Sequence, residues 1–175
     1  MGKFQTVFLV LSALLAGGGM YYLQVYGFYE EVQGTEVEVV ELTGLVSGTS
    51  DPIRIDSFEG IDADSSPLRY RACFTTPMSQ ALLTETYETY EDAVPLNAPS
   101  WFDCFDADRI GEGLETGEMI AFLGEANIVY GFDRVVAVDE AGNGFVWHQL
   151  NHCGEEHFDG RPVPADCPPP PERTE

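Results

Sequence analysis

Residues 4–29 contain no charged side chain, and this stretch constrains the chain more than any other. Its apolar part, residues 7–25, is long enough for a helix that rises about 1.5 Å per residue to cross a hydrocarbon core of about 30 Å. Aromatic rings, which favour the headgroup layer of a bilayer, crowd its C-terminal end: Tyr21, Tyr22, Tyr26, Phe28 and Tyr29. The sequence therefore predicts a transmembrane helix over residues 4–29.

Lys3 and the α-amino group supply the positive charges next to this helix. Because positive charge is retained on the cytoplasmic side, residues 1–3 are expected in the cytoplasm and everything after residue 29 outside it. Residues 30–34 are expected to form a short tether to the rest of the chain.

Three other N-terminal signals resemble this pattern. A cleaved signal peptide has the same three regions, but Leu14 stands two positions before Ala16, where a small residue is expected. The opening MGKFQT fits the loose myristoylation pattern, although a spanning helix anchors a protein far more strongly. A lipoprotein requires a cysteine after the apolar run, and the first cysteine is Cys73. An uncleaved anchor is the favoured interpretation.

Small residues recur four positions apart within the predicted helix, as the pairs Ser12/Ala16 and Ala13/Gly17. This spacing lets two membrane helices approach closely, so these residues are candidates for contact with a membrane partner. The alternative is that glycine and alanine are simply common in such helices.

The rest of the chain is strongly acidic. All 30 acidic residues and seven of the eight basic ones follow residue 29, which gives this portion a net charge of −23. Nucleic-acid binding is excluded, because neutralising phosphates needs a basic surface. A basic soluble partner would be steered toward the domain, although an acidic surface kept for solubility explains the charge equally well.

Four cysteines follow the helix, at Cys73, Cys104, Cys153 and Cys167. An even number outside the cytoplasm favours two disulfides, of which three pairings are possible. Cys73–Cys104 with Cys153–Cys167 is favoured, since each bond closes a loop of moderate length. No C-x-x-C pair is present, so a thioredoxin-like redox motif is absent.

Hydrophobic alternation and turn residues predict one acidic α+β domain over residues 35–167, built on an antiparallel sheet with one or two helices. The expected strands cover residues 35–46, 53–61, 68–76, 119–125, 128–139 and 145–150. The expected helices are residues 77–87, capped by Thr76, and a brief helix from Asp106 to Gly117. From Asn151 the chain is expected to be loop, ending in a Pro-rich, disordered tail over residues 168–175.

His148, His152 and His157 are the candidates for a metal site, accompanied by acidic residues and Cys153. Imidazole and carboxylate ligands suit Zn²⁺ or Cu²⁺. His148 is predicted on a strand and the other two in a loop, so no helical spacing fixes their geometry. Ordinary surface and loop histidines are the simpler interpretation, and no cofactor is expected under it.

The sequence contains no G-x-S-x-G elbow and no phosphate-binding glycine pattern, so an enzyme is not predicted. Arginines on the predicted strands, Arg69 and Arg71 among them, are expected to form ion pairs across strands.

The segments GGGMYYLQVYGFYEEV, RYRACFTT and PLNAPSWFDCFD resemble an uncharacterised family of alphaproteobacterial single-pass membrane proteins, a domain of unknown function. The resemblance implies an inner-membrane anchor and a periplasmic domain, and it supplies no functional residues.

The leading hypothesis is a non-enzymatic accessory or assembly subunit of a larger inner-membrane complex. A narrower version is a respiratory or photosynthetic electron-transfer complex whose acidic face attracts a basic soluble cytochrome. The alternative is a periplasmic module that binds a metal or small ligand through residues 148–157.

Overall fold

The first element of the computed structural model, which describes residues 2–32 and 40–171, is the N-terminal helix. Helix α1 spans Gly2–Tyr22 and continues as a π-helical turn over Leu23–Gly27. No residue of α1 is buried, and Gly2–Gly27 is long and apolar enough to cross a membrane. The predicted N-terminal apolar helix is confirmed, with bounds shifted by two residues.

Eight strands follow the helix. Their bounds are β1 Glu30–Val32, β2 Glu41–Thr43, β3 Ser50–Pro52, β4 Ser57–Asp62, β5 Arg71–Thr75, β6 Met119–Val129, β7 Phe132–Asp139 and β8 Asn143–Leu150. Six form one antiparallel sheet in the order β1-β4-β5-β8-β7-β6, and β2 and β3 form a separate antiparallel pair. The predicted antiparallel α+β fold is confirmed.

Three helices belong to the domain: α2 Gln80–Thr86, α3 Ala107–Thr116 and α4 His152–Phe158. Helix α3 agrees with the prediction, since the Asp106 carboxylate caps its first turn and Gly117 ends it with a φ of 78°. Helix α2 is shorter than predicted, because the hydroxyl of Ser79 accepts the capping hydrogen bond in place of Thr76.

The six-stranded sheet is covered on both faces. Side chains alternate along β7, so that Val136 and Val138 pack on one side and Val135 and Ala137 on the other. The first face is covered by the β2–β3 pair and α2, which contribute the fully buried side chains of Leu42 and Leu83. The second face is covered by α3 and the segment before it, where the sheet side chains include Phe145 and Trp147.

Several local predictions were wrong. Residues 30–32 of the predicted tether form β1, which pairs with β4, so the helix leads directly into the sheet. Residues 152–158, predicted as loop, form α4, which begins where the Asn151 side chain accepts a hydrogen bond from Gly154 N–H. The strand predicted over 53–61 begins only at Ser57. Residues 33–39 and 172–175 lie outside the described residues, so the predictions made for them, including the rest of the tether, stay predictions.

Both disulfides have the favoured pairing. Cys73–Cys104 joins β5 to the segment that precedes α3. Cys153–Cys167 joins α4 to the Pro-rich end of the chain. Each disulfide therefore holds a segment with little regular structure against the sheet or against a helix on it.

Candidate functional site

The C-terminal end of the N-terminal apolar helix is attached directly to the domain. The last carbonyl groups of a helix lack partners within it, and two domain side chains supply them here. Trp101 Nε1 donates to the carbonyl of Val25 at 2.7 Å, and Arg69 Nη1 donates to the carbonyl of Gln24 at 3.3 Å. We call this contact region, from Tyr21 to Tyr29 together with its domain partners, the junction.

Aromatic rings complete the junction. The Trp101 ring stacks on Tyr26 with centroids 6.1 Å apart and meets the edge of Tyr29 at 5.8 Å. The guanidinium of Arg69 lies over the Tyr29 ring, 5.4 Å from its centroid. These contacts fix the direction in which the helix leaves the domain.

Arg71 lies beside the junction at the start of β5, and its side chain is only 3 % exposed. Its guanidinium donates to four backbone carbonyls, those of Leu68, Tyr70, Leu96 and Asn97, at 2.6–3.2 Å. Burial lowers the pKa of Arg71 to about 10. In the described parts of the chain, ion pairs are made by Arg161 and His152, so the predicted pairing of Arg69 and Arg71 with acidic residues is wrong.

His148 is 5 % exposed and stacks on the Tyr70 ring with centroids 4.6 Å apart. Its Nδ1 lies 2.8 Å from the Pro67 carbonyl, and its Nε2 accepts a hydrogen bond from Arg134 Nε at 3.1 Å. Burial and the charge of Arg134 lower the pKa of His148 to about 4. The imidazole is therefore neutral at pH 7, with the Nδ1 proton directed at the carbonyl.

The other two candidate histidines have different neighbours. His152 Nε2 lies 3.0 Å from Asp166 Oδ2 and 3.4–3.5 Å from the sulfurs of Cys167 and Cys153. The hydrogen bond from His152 is one of the contacts that lower the pKa of Asp166, after a bond to its own backbone. His157 instead packs against the edge of Tyr130.

The structure does not bring the three imidazoles to one site. Among the described residues, the one group of three ligand atoms within 4.8 Å of one another is His152, Cys153 and Cys167. Both sulfurs of this group form the second disulfide, and a disulfide sulfur is not the thiolate that Zn²⁺ or Cu²⁺ binds.

A buried polar network at the start of β7 was not anticipated from the sequence. Asp133 accepts hydrogen bonds from Asn151 Nδ2, the backbone N–H of Asn127 and the hydroxyl of Tyr90. Burial and the adjacent carboxylate raise the pKa of Tyr90 above its usual value. Asn151 caps α4 with the same amide group that donates to Asp133, so the network connects the β6–β7 hairpin to α4.

The four small residues predicted to pack against a membrane partner, Ser12, Ala13, Ala16 and Gly17, lie on α1 and are exposed. No described part of the domain covers them.

A family described as a family of unknown function, DUF6446, matches residues 40–168. The chain belongs to this family. The matched residues run from just before β2 to the start of the Pro-rich tail, and both α1 and β1 lie outside them. No curated protein and no solved structure matches the chain. Membership therefore confirms the predicted resemblance to a family of unknown function and assigns no activity.

Proposed function

We propose that the protein is a non-enzymatic, membrane-anchored accessory or assembly subunit of a larger inner-membrane complex, with its acidic domain in the periplasm. The observation that carries this proposal is the junction, in which Trp101 and Arg69 bond the last carbonyls of the helix. A domain attached in this way presents one fixed face along the membrane surface. This geometry suits a subunit that contacts a neighbour with both its helix and its domain.

The membrane helix supplies the second support. All side chains of α1 are solvent-exposed within the chain, including the small residues at Ala13 and Gly17. In a bilayer, such residues allow close contact with another helix.

The orientation of the chain rests on charge and on the disulfides. Lys3 favours a cytoplasmic N-terminus, and the two disulfides favour an oxidising compartment for the domain. Protease added to spheroplasts should digest the domain, and the intact mass of the purified protein should include residues 1–29. A mature protein that lacks those residues would show that the helix is a cleaved signal peptide.

The decisive experiment identifies what co-purifies with the protein from gently solubilised membranes. A defined set of membrane subunits is expected by mass spectrometry, and it should be reduced by Gly17→Leu. Gly18→Leu is the matched control, because it adds the same side chain about 100° around the helix from Gly17. Recovery of the protein alone, even after crosslinking, would contradict the proposal.

A basic soluble partner, such as a cytochrome, is the narrower form of the proposal. The charge of −23 after residue 29 would attract it, and salt would weaken the association. A soluble basic protein that co-purifies at low ionic strength and is lost at high ionic strength is the expected result. Partners that are unaffected by salt would indicate that the acidic surface does not bind them.

A metal-binding module is the second candidate function, and it is favoured by one observation. His152 Nε2 lies close to Asp166 and to both sulfurs of Cys153 and Cys167. Reduction of this disulfide by a dithiol would supply two thiolates beside an imidazole and a carboxylate, a ligand set that suits Zn²⁺. Elemental analysis of the protein with and without reduction tests this function. Finding no stoichiometric metal in either state would contradict it.

A further inference from the structure

A cavity of about 520 Å³ lies at the junction, between the last turn of the membrane helix and the turn at residues 97–100. Tyr21, Gln24 and Tyr29 line it from the helix side, and Arg69 and Arg71 line it from the domain side. The cavity is thus built from both parts of the molecule.

The charge of this cavity differs from that of the surrounding domain. The chain has 30 acidic residues, yet none of the described residues that line the cavity is an aspartate or a glutamate. Two of the seven arginines that follow the helix do line it. An anion is therefore the class of ligand that this cavity favours.

The two arginines differ in what they can offer a ligand. Arg71 directs its guanidinium at four carbonyls, which leaves its positive charge buried and without a carboxylate among the described residues. A buried charge is costly unless an opposite charge lies near it. Arg69 is more exposed, and its guanidinium donates one hydrogen bond within the described chain, to the carbonyl of Gln24. Arg69 is thus placed to bind an anion directly, while Arg71 contributes positive potential.

The position of the cavity indicates the source of the anion. Tyrosines on the helix beside the cavity, Tyr21, Tyr22 and Tyr26, belong to the ring-rich end that favours the headgroup layer. With the helix across a bilayer, the cavity opens at the level of the lipid phosphates. A guanidinium binds phosphate oxygens through paired, charge-assisted hydrogen bonds.

We propose that this cavity binds the phosphate of an anionic phospholipid whose headgroup carries no amine, such as phosphatidylglycerol. The absence of a carboxylate from the described lining gives the ammonium group of phosphatidylcholine or phosphatidylethanolamine no partner. The bound lipid would neutralise the charge of the two arginines at the point where the acidic domain meets the membrane. This inference rests on the membrane-spanning helix of the proposed function and not on any partner complex.

The test uses the full-length protein in phospholipid nanodiscs that contain phosphatidylcholine and a minority of phosphatidylglycerol. Native mass spectrometry then counts the lipids that stay bound when the disc is stripped away. Phosphatidylglycerol should be enriched about tenfold over its share in the disc, as expected for one charge-assisted contact. Arg69→Gln should abolish the enrichment, and Arg109→Gln, which removes a charge from the exposed side of α3, should not.

A second pair of variants keeps the test independent of any effect of Arg69 on folding. Ser100 is exposed at the edge of the cavity, so both of its replacements are compatible with the fold. Ser100→Glu places a carboxylate beside the arginines and should abolish the enrichment, whereas Ser100→Gln, which is similar in size, should retain it. Equal enrichment in these two variants would overturn the proposal.

A final arm separates a lipid from a free anion. Inorganic phosphate at millimolar concentration is added to the wild-type protein in the same discs. Retention of phosphatidylglycerol is expected, and its displacement by phosphate would show that the cavity selects a free anion. Partner subunits are scored separately, by co-purification of the Ser100→Glu variant from membranes. Loss of lipid with retention of partners therefore separates the failure of this inference from the failure of the proposed function.

Discussion

Arg71 and Asp133 are two buried charged residues on the same face of the six-stranded sheet. Arg71 pairs across β5 and β8 with Trp147, which pairs with Val135, two positions after Asp133 on β7. Since cross-strand neighbours and alternate residues share a face, the two side chains lie on one side of the sheet. A disulfide holds each region as well, Cys73–Cys104 beside Arg71 and Cys153–Cys167 on the helix that Asn151 caps.

The two charged side chains differ in their surroundings: Asp133 lies inside a hydrogen-bond network, whereas Arg71 lines an open cavity. The oxygens of Asp133 accept three hydrogen bonds. The donors are Asn127 on β6, Asn151 at the cap of α4 and Tyr90 in the segment that follows α2. The guanidinium of Arg71 is hydrogen-bonded to carbonyls, but it lines a cavity that opens beside the end of the N-terminal helix. A closed network of this kind stabilises a fold, whereas a charge beside an open cavity can also bind a ligand.

Replacing Asp133 with alanine should have the largest effect on stability. The change removes a buried carboxylate that accepts three hydrogen bonds, one from a buried donor and two from half-buried donors, which costs about 4 kcal/mol and lowers Tm by about 10 °C. Thermal unfolding followed by near-UV circular dichroism measures it. Asp64→Ala, at an exposed loop position, should change stability by less than about 0.5 kcal/mol. Equal effects of the two variants would mean that the Asp133 network is not stabilising.

Removing either disulfide should have the next largest effect on stability, and the two removals should differ in their effect on the junction. Replacing both Cys153 and Cys167 with serine should lower the free energy of unfolding by about 3 kcal/mol. Replacing both Cys73 and Cys104 should lower it by about 0.5–1 kcal/mol more, because the Cys73–Cys104 bond closes the longer loop. Chemical unfolding of both double variants measures the difference. Only the Cys73/Cys104 variant should also reduce lipid retention at the junction, since Cys73 lies two residues from Arg71 on β5. Reduced retention in both variants would contradict this division.

The sequence predicted best where one local signal determines the structure. The Asp106 cap and the glycine at 117 defined α3, and the uncharged run defined the N-terminal apolar helix within two residues. Helix α4 was missed because its sequence, HCGEEHF, contains a glycine and no hydrophobic periodicity. It is held by the Asn151 cap, by close contact of Gly154 with Gly131, and by the second disulfide. Those contacts join segments far apart in sequence, which a local pattern does not show.

The candidate sites show the same division. The disulfide pairing followed from loop lengths, which the sequence contains. The hydrogen-bond partners of Arg71 could not be predicted from the sequence. Its four acceptors are carbonyls of two separate segments, and a carbonyl is present at every residue. Arginines on predicted strands of an acidic domain suggested ion pairs, but backbone carbonyls accept the hydrogen bonds of Arg71 instead. The junction likewise depends on Trp101, whose role follows only from the position of the helix end.

His148 should make stability depend on pH, because its pKa is lowered to about 4 by burial, by Arg134 and, to a smaller extent, by Arg71. The unfolded chain binds a proton near pH 6.5, and the folded chain does so only near pH 4. Stability is therefore fully present above about pH 6.5 and is lost as the pH falls toward 4. Between pH 7 and pH 5 the loss should be about 2 kcal/mol.

The measurement compares the pH dependence of unfolding in the wild type and in His148→Gln, which does not titrate. The difference isolates His148 from the many carboxylates of the domain. Wild-type stability should fall more steeply toward pH 5, and parallel curves would contradict the assignment of a buried, neutral imidazole. Occupation of the junction cavity by an anion should raise the pKa of His148, since it offsets the charge of Arg71.

Trp101→Phe should have the smallest effect on stability and a specific effect on the junction. The phenyl ring can still stack on Tyr26 and Tyr29, but the hydrogen bond from Nε1 to the Val25 carbonyl is lost. The expected cost is about 1 kcal/mol. Limited proteolysis within residues 28–32 of the protein in nanodiscs should become faster, because the helix end is held less firmly to the domain.

Trp147→Phe is the control that shows whether faster cleavage reports opening of the junction or unfolding of the whole domain. Trp147 is fully buried against the same sheet face, so its replacement leaves a void in the core and lowers the stability of the domain by more than Trp101→Phe does. In the described chain its hydrogen bond goes to Gln149 and its ring contact to Phe105, neither of which belongs to the helix end. Under native conditions, cleavage within residues 28–32 should therefore stay slow. If Trp147→Phe accelerated that cleavage as much as Trp101→Phe, the junction would open only when the whole domain unfolds. A selective effect of Trp101→Phe would instead show that the junction opens on its own, with the closed network around Asp133 still intact.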